Sequence, residues 1–324
     1  MNAGIEREKR KRKNSMRTAM SLIVTAAVVC AITAAIVFAA IWGVRAIGAR
    51  MERASGGANA EADASENPPR GEEATETEAG APPSEHAHFL DLYYCEEDRL
   101  ERYLDYEAAH PELSPEEVVW RVDVDIDKPF YENAVELELE CARSEQALVS
   151  KRFKLPDDFE PAELAQIDGD YRVTPATKEA YERLREGAKA AGHSIRAASA
   201  YRTIEYQKNL YARYLNEDPN NADNYSARPG FSEHHTGRAI DLVGPSGTLR
   251  GFVGTKEAEW VRENAWNYGF IVRYTPENEE ITGYESEPWH ITYIGREAAA
   301  LMRENGIGSL EEYVAKYVLH LPPQ

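Results

Sequence analysis

Ser232-Glu233-His234-His235-Thr236-Gly237-Arg238-Ala239-Ile240-Asp241 is the stretch that organises this chain, together with Glu287-Pro288-Trp289-His290 about fifty residues later. Residues 238–242 alternate, with Ala239 and Asp241 on one face and Ile240 and Leu242 on the other, as in a strand. Asp241 can therefore point into a site from a strand. His234 and His290 offer two imidazoles to join that carboxylate on a metal, and Gly237 allows a tight bend between the first two ligands. Three protein ligands leave the fourth tetrahedral position of a zinc ion for water. Glu287, three positions before His290 and not itself a ligand, can take that water's proton. On an extended segment His235 would face away from His234. His86, His88, His110, His193 and His320 read as structural or exposed.

Working outward, helices and short strands mix without regular βαβ spacing. Thr174-Pro175 opens a helix that runs to about Ala191, with Gly192 as its stop. Residues 194–201 read as a strand, 203–215 as a helix, and 216–230 as an Asn/Asp/Pro-rich loop. A helix over 257–268 stops at Gly269. Strands follow at 270–274 and 289–294, then a helix over 296–305. Ser114-Pro115-Glu116-Glu117 and Ser309-Leu310-Glu311-Glu312 are capping boxes. Residues 97–109 read as a helix, and Val122, Val124 and Ile126, alternating with acids, as a strand. The pattern predicts an α+β fold, a small antiparallel sheet flanked by helices that carry the zinc site. Trp289 is expected to pack beside that site.

The chain has 324 residues and a net charge of -19. Residues 1–50 hold nine Lys+Arg and two Asp+Glu, a net of +7, so the remainder carries 28 minus 54, or -26. An acidic body of this kind argues against nucleic-acid binding. Basic residues 7–17 precede an uncharged apolar run over 19–44, 26 residues long. As a helix it would reach about 39 Å, more than the ~30 Å hydrocarbon core. It exceeds the apolar core of a cleaved signal peptide, the competing reading. The expected organisation is a basic cytoplasmic N-terminus (1–18), a transmembrane helix in the lipid bilayer (19–44) and a disordered acidic linker (45–87). A small subdomain (88–150) and the zinc domain (151–324) would then lie outside the cell membrane. Cys30 falls in the apolar run. Cys95 and Cys141 could form a disulfide in that compartment or remain thiols.

The chain resembles the zinc D-alanyl-D-alanine carboxypeptidases of the VanY type and the related L,D-carboxypeptidases of peptidoglycan. Ser232, His234, Gly237, Ala239 and Asp241 match the family's S-x-H-x-x-G-x-A-x-D, and Glu287 to His290 match its E-P-W-H. Ser199-Ala200-Tyr201-Arg202 with Glu205-Tyr206-Gln207, Gly269 to Tyr274, Thr282-Gly283-Tyr284 and Leu310 to Tyr313 look similar too. The resemblance implies one Zn2+ ion on His234, Asp241 and His290, with Glu287 as general base and then acid. It implies that Arg202 steadies the oxyanion or the peptide. Gln207 and Ser232 would hold the end of the substrate, and Tyr274 would form a pocket wall. His235 stands where the family usually has Gln, and Thr292 replaces a frequent Arg.

The function implied is removal of the C-terminal D-alanine from peptidoglycan stem peptides, with D,D- and L,D-specificity both open. An endopeptidase of the same superfamily and a non-catalytic zinc-containing wall-binding module are the alternatives. A serine mechanism is excluded in its penicillin-binding form, because no Ser has Lys three positions on.

Overall fold

The computed structural model describes residues 87–319. The segments expected as cytoplasmic N-terminus, transmembrane helix and nearly all of the linker lie outside the described residues, as do Cys30, His86 and His320. Among the described residues no helix is long and apolar enough to cross a membrane. Cys95 and Cys141 are free thiols.

The fold is α+β. Its principal sheet has four strands: β1 (Arg196–Ser199), β2 (Ala239–Val243), β3 (Phe270–Tyr274) and β4 (Glu287–Tyr293). They are ordered β1-β2-β4-β3, and every pairing is antiparallel. Among the described residues, seven helices of eight residues or more are α1 (Leu100–Ala109), α2 (Pro115–Asp123), α3 (Pro175–Ala190), α4 (Ile204–Glu217), α5 (Lys256–Asn264), α6 (Arg296–Asn305) and α7 (Leu310–Tyr317). Their starts follow local chemistry. Thr174, Thr203 and Thr255 each cap the next helix through a side-chain oxygen that accepts a backbone N–H. Ser114 and Glu117 form the full reciprocal box before α2. At α7 only half of the second expected box forms. Ser309 caps Glu312 N, while the Glu312 carboxylate accepts from Gly308 N.

The strand expected over 122–126 is absent. Val122 belongs to α2, which ends in a Schellman turn with Asp125 in the left-handed position at φ 60°. Ile126 N donates to Arg121 O and Asp125 N to Val122 O. The alternating acids do not mark a solvent face. Arg99 binds Asp123 at 3.0 Å, and Arg102 binds Asp125 and Asp127 at 2.8 and 2.6 Å. Tyr103 adds a 2.6 Å hydrogen bond to Asp123. Arg99, just before α1, and Arg102 on it thus collect three carboxylates, which mimics strand alternation in the sequence.

One core forms around the sheet, with Tyr181 and Leu184 of α3 against Ile240, Leu242, Phe270 and Ile291. A second joins Tyr103, Val118, Val119 and Trp120 of α1 and α2 to Ala298, Met302, Leu310 and Val314 of α6 and α7. The segment read as a subdomain over 88–150 therefore shares its core with the C-terminal helices.

Residues just beyond α2 support the loops that border the sheet's site edge. Leu155 N donates to Gly230 O at 2.9 Å, and Arg152 donates to Ile281 O at 3.0 Å. The Lys151 ammonium donates to Gly283 O and lies 4.2 Å from the centre of the Tyr284 ring. Gly283 has φ 74°, and a Cβ there would meet Phe130 at 2.5 Å, so the position admits only glycine.

Burial pushes the Lys151 ammonium down to about 8, with Arg152 and Arg228 adding to the effect against Asp223. Its folded value lies below the unfolded one. The cost of burying the charge is therefore present below about pH 8 and relieved as pH rises toward ~10.4. Thermal melts at pH 8 and pH 10 should show Lys151→Met losing a stabilisation on alkalinisation that the parent gains. Equal pH slopes would contradict this assignment.

Candidate metal centre

Strand register brings the site together. Asp241 pairs directly with His290 across β2 and β4, and with Ser199 across β1 and β2. Neighbouring side chains in such a row lie roughly 5 Å apart on one face. Glu287 needs a further device. Residues 287 and 290 have opposite parity and would face opposite sides of a regular strand. The β3–β4 register shifts between the pairs Val272–Ile291 and Tyr274–Glu287. That irregularity spans Pro288, which cannot donate to the ladder, and it returns Glu287 to the face of His290.

His234 arrives from a 3-10 turn, Glu233–Thr236, capped by the Ser232 hydroxyl and closed by Gly237 at φ 70°. This revises the extended-segment reading of His235, since the two histidines diverge around a turn. His235 Nδ1 contacts Arg202 O at 2.7 Å, and its Nε2 accepts from Gly230 N at 3.3 Å. It braces the loop and does not face the metal donors.

His234, Asp241 and His290 are all buried, with donor atoms within 4.8 Å of one another. His234 Nε2 lies 3.3 Å from Asp241 Oδ2, and His290 Nδ1 lies 3.3 Å from Asp241 Oδ1. Each ring's other nitrogen is occupied. His234 Nδ1 meets Ala200 O at 2.7 Å, and His290 Nε2 meets the Glu233 carboxylate at 3.3 Å. Outer partners of this type fix which imidazole nitrogen faces a metal. Two nitrogens and one carboxylate oxygen converging in a buried pocket fit zinc with an open position.

Glu287 Oε2 stands 3.7 Å from His290 Nδ1. Arg202 donates to Asp241 at 2.7 Å and to Ser199 Oγ at 3.0 and 2.7 Å. Gln207 is buried; its Nε2 donates to Ala227 O at 2.8 Å and its Oε1 faces Arg202 at 3.5 Å. Tyr274 lies 4.9 Å from His290, ring centre to ring centre, and 5.0 Å from Tyr284. Glu287, Arg202, Gln207 and Tyr274, with the three donors, Ser232 and Trp289, line one cavity of about 480 Å³. Its wall also includes Tyr284, from the family-like Thr282-Gly283-Tyr284 stretch, together with Arg250 and Glu285, which motif reading did not single out. His88, His110 and His193 are not part of it.

Glu233 is the principal residue that sequence reading missed. It sits inside the quoted motif yet is 1% exposed. It accepts from Arg273 Nε at 2.7 Å and from Thr292 Oγ1 at 2.5 Å, in addition to His290. The available signal was Arg273, a charge placed within an otherwise apolar strand. Thr292, noted only as a departure, is one of the donors that hold Glu233.

The site's charges are strongly biased. Burial would raise the Glu233 carboxyl, but Arg273 and the hydrogen bonds from His290 and Thr292 hold it well below the usual range. Burial, with Arg202 nearby, pushes His234 down to about 4, so it is neutral and ready to ligate. Burial would lower His290 too, but Asp241 and Glu233 raise it to about 9. Burial and then Asp241 raise Glu287 to about 7 against His290 and Arg202, inside the range useful to a general base.

The family model described as VanY, D-alanyl-D-alanine carboxypeptidase, matches residues 170–296. The chain is 33% identical over 164 residues to the bifunctional D-Ala-D-Ala dipeptidase and carboxypeptidase VanXYC of Enterococcus gallinarum, covering 46% of this chain and 82% of that protein. It belongs to the VanY family. A 35% identity over 183 residues links this VanY-family chain to the putative carboxypeptidase YodJ of Bacillus subtilis, over 52% of this chain and 67% of that one. The solved LdcB LD-carboxypeptidase superposes with a TM-score of 0.52 at 32% identity, covering 57% of this chain and 91% of that chain. As a VanY-family protein it is a zinc metallohydrolase of the D-Ala-D-Ala carboxypeptidase type.

Glu287 has its folded value raised above the unfolded one. Its contribution favours the fold at low pH and is lost as pH rises through about 7. In metal-free protein at pH 8, Glu287→Gln should therefore melt no lower than the parent. A clear drop in melting temperature would show that the ionised carboxylate is a net stabiliser.

Proposed function

We propose that this protein is a membrane-anchored carboxypeptidase that removes terminal D-alanine from peptidoglycan stem peptides outside the cell. The observation that carries the reading is the Glu287 carboxylate, 3.7 Å from His290 Nδ1 and facing the same cavity as the three donors. A binding module has no need of a water-activating carboxylate at that place.

Zinc, when bound to His234, Asp241 and His290, would polarise the scissile carbonyl and acidify water. In this reading Glu287 takes a proton from the attacking water and passes it to the leaving amine of D-alanine. Arg202, fixed by Ser199 and Asp241, presents a positive charge to the oxygen on which negative charge develops. Ser232 and Gln207 border the space for the substrate's end, and Tyr274 and Tyr284 wall it. Arg250 and Glu285 offer one charge of each sign along the cavity. That pairing suits the side chain of a diamino acid and supports L,D-cleavage next to it. The likeness to the LdcB LD-carboxypeptidase points the same way. The apolar run at 19–44 with its basic flank supports an anchor whose N-terminus is cytoplasmic.

Mass spectrometry of tetrapeptide and pentapeptide muropeptides tests the reading. D-alanine should be released from the tetrapeptide faster than from the pentapeptide, and a chelator should stop both. Glu287→Gln should lower kcat by about 10²–10⁴-fold. Internal cleavage of crosslinked peptides, without D-alanine release, would replace this reading with an endopeptidase.

A further inference from the structure

Arg273 on β3 is the largest fully buried side chain, 1% exposed. It bridges two carboxylates. Its Nε donates to Glu233 Oε1 at 2.7 Å. Its Nη1 and Nη2 form a fork on Glu311, at 3.0 and 2.7 Å. Glu311 lies on α7, beyond the 170–296 segment that the family model matches. Glu233 completes the chain by accepting from His290 Nε2 at 3.3 Å. We infer that Glu311 is a positioning residue for His290, acting through Arg273 and Glu233, so that α7 helps set how tightly the site holds zinc.

Two carboxylates share the hydrogen bonds of one guanidinium, which leaves Glu233 only partly satisfied by it and with surplus acceptor strength beside the imidazole. That surplus favours the tautomer with its hydrogen on Nε2 and makes Nδ1, which faces Asp241, the stronger donor. Without Glu311, Arg273 would direct its whole charge at Glu233 and weaken it as an acceptor. Two of the three donating nitrogens of a buried guanidinium would also lose their partner and pull on the sheet. Arg152, buried near Glu311, does not substitute, since its hydrogen bonds go to the carbonyls of Lys128, Ile281 and Ile126. Arg238, also buried nearby, does not substitute either. Its hydrogen bonds go to the carbonyls of Glu145, Ala147 and Tyr293. A triad that merely tied α7 to the sheet could be replaced by apolar packing at little cost, since buried ion pairs are weak stabilisers.

The inference rests on the zinc assignment, and zinc affinity is its readout. Full-length protein is titrated against a competing chromophoric chelator at fixed pH. Glu233→Gln should weaken zinc binding by about 10–100-fold, the usual effect of losing a direct partner of a ligating histidine. Glu311→Gln, one step further out, should weaken it by about three- to tenfold, and should add nothing in the Glu233→Gln background. Glu312→Gln on the same helix, which loses only a contact to Lys316 and Gly308, should bind zinc like the parent. If Glu311→Gln fails to fold, Glu311→Asp carries the test, with affinity about two- to threefold below the parent. Parental zinc affinity in whichever Glu311 variant folds, despite a lowered melting point, would overturn the positioning role and leave the zinc site standing. A parent that bound no zinc would overturn both.

Discussion

Asp241 facing His290 across the β2–β4 ladder is the constraint on which the site depends. Two donors on adjacent antiparallel strands are fixed by backbone hydrogen bonds on either side, so neither can drift without breaking the sheet. The same row continues to Ser199, which holds Arg202 against Asp241. One line of register thus sets two candidate ligands and the cation beside them. A slip by a single residue would send Asp241 into the apolar layer of Ile240 and Leu242.

Regular strands cannot supply everything the chemistry requires. Glu287 and His290, three residues apart, would point to opposite faces of a regular strand, and the irregularity between Val272 and Tyr274 reconciles them. His234 and His235 show the same principle at the other motif, where a 3-10 turn sends one ring to the donors and the other to Arg202 O. Regular pairing supplies rigidity, and the departures from it aim the side chains. Both departures are held from outside, by Leu155 on Gly230 and by Lys151 and Arg152 on the 281–283 turn.

The elements legible in the sequence were those whose cause is local. Thr174 announces α3 by capping and Gly192 follows its end, while Gly269 closes the 3-10 turn that follows α5 and Gly306 ends α6. The candidate metal trio could be picked out because its residue types are rare in that order and spacing, and the fold brings their donor atoms within 4.8 Å of one another. The strand expected at 122–126 failed because Asp123, Asp125 and Asp127 alternate for a tertiary reason, their ion pairs with Arg99 and Arg102. Glu233, Arg273 and Glu311 were invisible as a unit. They are about forty residues apart in each step, and acids inside a motif read as solvated until burial is known.

The distribution of charge explains why burial is tolerated here. An isolated carboxylate at 1% exposure would be strongly disfavoured, yet Glu233 is held ionised by Arg273, Thr292 and His290. Glu287 lacks such a set of donors. Burial raises it, and it remains the carboxylate whose proton can come and go near neutrality. The two acids lie beside the same histidine, at opposite nitrogens, and differ in what surrounds them. Glu233 is spent on holding His290 in place. Glu287 keeps a raised carboxyl, and the Pro288 irregularity holds it on the Nδ1 side of the ring, where it faces the cavity.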